Sequence, residues 1–201
     1  MATKTTTKQN TKSLLIETGI DVMLGKGYNN TGLNEVLTAC GVPKGSFYHY
    51  FSSKEDFGLS VINTFDEQYV AQLDQALTDK SVSPLDRVRR YIDNAIEKAE
   101  GRQCSRGCLI ANLSQEMADQ NEVFRVRLKE IMLRRMETFK GVLDEAKAAG
   151  EIAKSVKSQD AAEFFLCSFE GAMMRSKVQR DTKPMRVCRE ILFKNVLGVN
   201  G

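Results

Sequence analysis

Seven residues in a short N-terminal stretch carry groups suited to a phosphate backbone and to base edges: Lys44, Gly45, Ser46, Tyr48, His49, Tyr50 and Lys54. Lys44 is a cation able to reach a guanine or a phosphate, Gly45 permits close approach, and the rings at 48, 49 and 50 are rigid supports with polar tips. A second set surrounds a thiol, Cys108, with Arg106 two residues ahead of it and Cys104 four ahead. A thiolate near a helix start and an arginine is favoured over the thiol, and it reacts with electrophiles and oxidants. The bland alternative for Cys108 is a small hydrophobe in a pocket or core. Catalysis finds no comparable set. The single histidine, His49, sits among the DNA-facing groups, and no Gly-x-Gly-x-x-Gly, phosphate loop or Cys-x-x-Cys is present. We therefore expect no enzyme activity, no cofactor and no metal site.

These residues need elements to hold them. Leu33, Val36 and Leu37 share one face of a helix over 33–40, which Gly41 ends in a left-handed conformation, while Pro43 opens a second helix over Lys44–Phe51. In that second helix Phe47 and Phe51, four apart, anchor the buried side, which leaves the polar set in front. Tyr48 and Tyr50 could instead be core. Ser52-Ser53-Lys54-Glu55 reads as a capping box that starts a third helix at Ser52 and places Lys54 at its positive end as a further phosphate clamp. An amphipathic helix over about Thr11–Lys26 precedes the pair, so the stretch 10–54 is expected to be a three-helix head with a helix-turn-helix. Residues 1–9, rich in Thr and Lys, are expected to form a flexible arm.

The rest, 55–201, repeats amphipathic helical patterns. The helix from Ser52 carries Phe57, Val61, Ile62, Phe65, Tyr69 and Leu73 and serves as a connecting rod to the body. Ser105 is placed to cap a helix running to Met117, with Cys108 in its first turn. Asn121 caps the next helix, whose apolar stripe is Phe124, Leu128, Met132, Met136, Phe139, Leu143 and Ala146; Arg125, Arg127, Arg134 and Arg135 alternate with carboxylates on a solvated face. A helix over Asp160–Lys177 presents Ala161, Ser168, Gly171 and Ala172 as a small-residue face, and a last helix runs from Pro184 to about Leu197. Two apolar C-terminal helices suit a four-helix dimer interface, unless both faces pack within one subunit. Cys108, Met117, Phe139, Phe165, Phe169 and Met173 are candidate pocket residues, each taken singly more often core than ligand contact, and Cys104 or Lys177 could trap an oxidised Cys108.

The segment GVPKGSFYHYFSSKEDF, with the preceding GKGYNNTGLNEVL, resembles the DNA-binding domain of the TetR family of bacterial regulators. The resemblance covers about the first quarter of the chain. It implies DNA contacts at Thr31, Lys44, Gly45, Ser46, Tyr48, His49, Tyr50 and Lys54, and dimerisation through the last two helices. Gly107-Cys108-Leu109 with Lys177 is similar to the TetR-like repressors of N-ethylmaleimide reductase, which implies electrophile or oxidant sensing at Cys108 with Lys177 as a neighbour.

Bulk properties fit such a protein. The chain has 201 residues, 42% of them hydrophobic, enough to bury a core. Residues 1–54 hold six lysines against Glu17, Asp21 and Glu35, an excess equal to the whole formal net charge of +3. A positive end on a neutral body is the footprint of a protein that docks DNA with one end. Five cysteines without a disulfide framework, and no apolar run near membrane length, point to a reduced, cytoplasmic protein with no membrane partner. The expectation is an all-α homodimeric repressor gripping a palindromic double-stranded operator at half-sites roughly 34 Å apart. A small molecule or an electrophile acting on the C-terminal body would release it. The alternative is an architectural DNA-binding protein without an effector.

Overall fold

The computed structural model describes residues 3–199. Every regular element among them is helical: α1 Thr3–Lys26, α2 Leu33–Cys40, α3 Lys54–Leu77, α4 Pro84–Gly101, α5 Leu109–Met117, α6 Glu122–Ala148, α7 Ser158–Gln179 and α8 Lys183–Ile191, with a 3-10 helix at Lys44–His49 and a π-helical turn at Leu192–Val196. None of these helices is long and apolar enough to cross a membrane. The chain divides into two compact units. The head is the chain up to Tyr69 together with Leu109–Val126; the body is Val70–Cys108 together with the chain from Arg127 onward. The head is thus larger than the stretch 10–54, because α5 and the start of α6 return to it.

In the head, the apolar face of α1 (Leu15, Ile20, Met23) joins Val36 and Leu37 of α2, Phe47 and Phe51, and Phe57, Val61 and Ile62 of α3, all buried. Aromatic burial dominates that core: Phe47, Phe51 and Phe57 meet with ring centroids 5.0–5.6 Å apart, and each such ring contributes about 2–3 kcal/mol on leaving water. Gly58 has a packing reason, since a Cβ there would meet Phe124 and Tyr28 at 2.7 Å. Those two rings close edge to face across α3 at 4.8 Å.

In the body, Leu85, Val88, Ile92 and Ile96 of α4, Ile131, Phe139 and Val142 of α6, Phe165 and Phe169 of α7, and Phe193 are buried. Arg87 is buried with them. Its guanidinium donates to the carbonyl of Leu77 at the end of α3 and to Glu145 of α6, so a charged residue ties three helices together.

Several local expectations are corrected. α1 begins at Thr3, so helix replaces most of the arm expected at 1–9; Met1 and Ala2 lie outside the described residues. The recognition segment is 3-10 rather than α-helical and stops at His49, consistent with Gly45, Ser46 and three aromatic residues, all weak helix formers. The cap of α3 is shifted by one: Ser53 accepts from the Asp56 amide at 3.0 Å, and the Asp56 carboxylate accepts from the amide and hydroxyl of Ser52. Glu55 instead accepts from the Asn121 side chain. α5 starts at Leu109, because Arg106 and Gly107 both have φ of 73° and cannot begin a helix; Ser105 is no cap, its hydroxyl donating to the carbonyl of Arg102.

Candidate nucleic-acid interface and sensor site

The turn that sets up the recognition segment follows from its residues. Gly41 ends α2 at φ 65°, its amide donating to Thr38, and Val42 donates to Leu37. Pro43 is extended at ψ 142° and caps the 3-10 helix from outside rather than as its first residue. Phe47 and Phe51 then turn inward, so Lys44, Gly45, Tyr48 and His49 are exposed and Ser46 and Tyr50 half-buried. Tyr48 is 65% exposed, which removes the core alternative for it. Side chains that meet water on one short helix can meet a major groove.

Two of the expected DNA contacts are placed differently. Thr31 is 1% exposed and its hydroxyl donates to the carbonyl of Gly27, so its side chain closes the turn after α1. Lys54 donates to the carbonyl of Asn29 at 3.3 Å and lies 4.6 Å above the Tyr28 ring. Burial lowers its pKa, against the pull of Glu116. Both residues shape the 27–30 turn.

That turn shows a residue the sequence did not single out. Glu116, near the end of α5, accepts from the amide of Tyr28 at 2.8 Å and of Asn29 at 2.7 Å. Gln120 accepts from the Asn29 side chain, and Asn121 caps α6 through the Phe124 amide while donating to Glu55. Hence α5 is hydrogen-bonded to the turn after α1, and the link into α6 to that turn and to α3, within the head.

In the body, Cys108 stands directly before α5, at the end of a loop in which Gln103, Cys104, Arg106 and Gly107 all have φ between 50° and 73°. Three non-glycine residues in the left-handed region within four positions is an uncommon, costly backbone. Arg106 is exposed, and two residues from other helices meet the thiol. Arg135 of α6 places Nη1 3.7 Å from Sγ, and the thiol is hydrogen-bonded to the carboxyl of Glu170 on α7. Arg135, read as part of a solvated face, is only 5% exposed. Burial pushes the Glu170 carboxyl above its ordinary range, while the Cys108 hydrogen bond and the Arg135 charge pull it down.

Of the remaining sensor candidates, Phe139, Phe165 and Phe169 form a buried aromatic run with centroids 4.5 and 5.2 Å apart, extended by Tyr91. Met173 is half-buried and Cys104 buried. Met117 is buried in the head unit. Lys177 is half-buried, two turns and about 10 Å along α7 from Glu170.

The expected dimer face also changes. Ala161 and Ala172 are buried within the chain, whereas Phe164, Cys167, Met174 and Val178 of α7 are exposed on one side with Gly171 open among them, and Val187 and Ile191 are exposed on α8.

Comparison with known proteins accounts for both units. Residues 15–60 match the family model of bacterial regulatory proteins, tetR family, and residues 84–192 the tetracyclin repressor-like C-terminal domain. The chain is 38% identical to the transcriptional regulator AcuR of Cereibacter sphaeroides over 85% of its own length and 78% of that protein. It is 32% identical to the HTH-type transcriptional repressor DhaR of a Mycobacterium species, covering 91% and 90% of the two chains. The crystal structure of reduced E. coli NemR, a named HTH-type transcriptional repressor, superimposes with a TM-score of 0.85 at 26% identity, covering 94% and 98%. The protein is a DNA-binding transcriptional regulator, and its chain belongs to the TetR family.

Proposed function

We propose that this regulator is a homodimeric repressor that reads a palindromic operator with Lys44, Gly45, Ser46, Tyr48, His49 and Tyr50, and that leaves it when an electrophile modifies Cys108. Regulators of this family bind DNA as dimers and respond to small molecules. The observation that carries the sensor assignment is the setting of Cys108: its sulfur lies against the guanidinium of buried Arg135, at the end of a strained loop. A nearby cation favours the thiolate, which is the reactive form. Leu109, the next residue, begins the segment that belongs to the head. An adduct that alters the Cys108 backbone therefore acts on α5 through one peptide bond, and α5 holds the 27–30 turn through Glu116. Dimerisation is assigned to the exposed apolar side of α7 and α8, Phe164, Met174, Val178, Val187 and Ile191. The aromatic run Tyr91, Phe139, Phe165 and Phe169 supports a second reading, a reversible apolar ligand in the body.

The test is operator binding before and after graded N-ethylmaleimide, with modified sites located by peptide mass. Parent protein should release DNA as Cys108 is alkylated, and Cys108→Ser should bind DNA and ignore the reagent. Release of the Cys108→Ser protein at the parental dose would refute thiol sensing and favour the reversible ligand.

A further inference from the structure

Three side chains from three separate stretches converge in the body: Cys108 ahead of α5, Arg135 on α6 and Glu170 on α7. We propose that Glu170 is the base that takes the Cys108 proton when the thiol adds to an α,β-unsaturated carbonyl compound, while Arg135 holds the sulfur as its negative charge develops. The inference rests on Cys108 being the modified thiol and adds the group that makes it react.

The geometry supplies each part. The thiol already donates its hydrogen to the Glu170 carboxylate, so transfer needs no rearrangement. Arg135 Nη1 stands 3.7 Å from Sγ, and its guanidinium is enclosed, so its charge is weakly screened. The step balances without an oxidant or reductant. The S–H proton moves to a Glu170 oxygen; a sulfur lone pair forms the S–C bond at the β-carbon; the C=C pair moves onto the carbonyl oxygen as an enolate. The enolate carbon then takes a proton from the Glu170 carboxyl, which returns to its carboxylate form, and the net change is addition of S–H across the double bond. Burial makes Glu170 a stronger base than a surface carboxylate, which suits it to a thiol. The facing groups that act on its titration are Cys108 and Arg135.

The test measures the rate at which N-ethylmaleimide alkylates Cys108 in the full-length protein, followed by mass of the Cys108 peptide from pH 4 to 9. In the parent, the rate should rise with pH through the titration of Glu170, above the ordinary carboxylate value of 4.5. Glu170→Gln keeps the shape and an acceptor but no base; it should slow alkylation about tenfold or more at neutral pH and abolish that limb. Glu170→Asp should restore most of the rate, which a packing role would not. Should the Gln variant fail to fold, the parental pH profile and the Asp variant carry the test. Parental rates and profile in Glu170→Gln, or a parent with no such limb, overturn the assignment. A parent whose Cys108 resists the reagent while another cysteine reacts sinks the sensor reading itself, and the proposal with it.

Discussion

Replacing Glu116 by alanine tests whether α5 is a working part of the DNA-binding head. Its carboxylate accepts two backbone amides, Tyr28 at 2.8 Å and Asn29 at 2.7 Å. A hydrogen bond to a charged group contributes about 1.5–3 kcal/mol net, and the Asn29 side is open to water, so the pair is worth about 3 kcal/mol. Hydrogen exchange reads this directly. The Tyr28 and Asn29 amides of the full-length Glu116→Ala protein should exchange about a hundredfold faster than in the parent, because 1.4 kcal/mol is about a factor of ten in an opening equilibrium. Glu116→Gln, whose amide oxygen can accept one donor while its NH2 opposes the other, should fall between them. Operator affinity should drop with exchange protection, since the 27–30 turn joins α1 to α2 and receives Lys54 on its Asn29 carbonyl. Unchanged exchange at both amides, with unchanged operator affinity, would refute the view that α5 holds the head in its binding shape.

Lys44→Ala and Tyr48→Ala should each weaken operator binding, by about 1–3 kcal/mol for a base contact, with unfolding midpoints near the parent's; a titration at fixed salt decides it, and parental affinity in both would remove the 3-10 helix from the interface. Val178→Asp, at a position 80% exposed, should leave the chain folded but halve its mass in solution, and a dimer persisting in that variant would place the interface elsewhere. The Glu145 carboxyl is held below its ordinary 4.5 by hydrogen bonds from Lys80 and Arg87. A depressed carboxylate stabilises the fold above about pH 4.5 and loses that contribution as pH falls through its folded pKa. Urea midpoints from pH 6 to 3 should therefore decline less steeply at the acid end in Glu145→Gln, and equal slopes would contradict the assignment.

The head was readable because its signals are local. Leu33, Val36 and Leu37 at helical spacing, Gly41 at the stop and Phe47 and Phe51 four apart specify the helix-turn-helix almost alone, and the observed α2 has the expected ends. What escaped is what depends on distant partners. The contacts of Lys54 with Asn29 and Tyr28 have no sign in the local sequence, and Glu116 looks like surface charge until α5 is set beside a turn 88 residues earlier. The cap of α3 falls on Ser53 rather than Ser52, because two serines in a row fit the same pattern.

In the body the α6 stripe is largely as expected, with Phe124, Leu128, Met136, Phe139, Leu143 and Ala146 buried and Met132 exposed. The expected stripe on α6 advanced in steps of four through Leu128, Met132 and Met136, and each such step overshoots the 3.6-residue turn by about 40°. Met132 emerges 42% exposed, while Ile131 and Met136 on either side of it are buried. Steps of three mixed with steps of four keep to one face, and from Leu128 they pass through Ile131, Arg135, Phe139, Val142 and Ala146, all buried. Arg135 is the one cation on that face. An arginine at a core position must find partners inside, since an enclosed charge left without them costs several kcal/mol. The same logic applied to α7 places Glu170 beside Phe169, on a helix whose Phe165 and Phe169 face inward. A buried arginine and an inward carboxylate on helices that pack in one unit call for a shared site, and the third group that completes it is the thiol of Cys108.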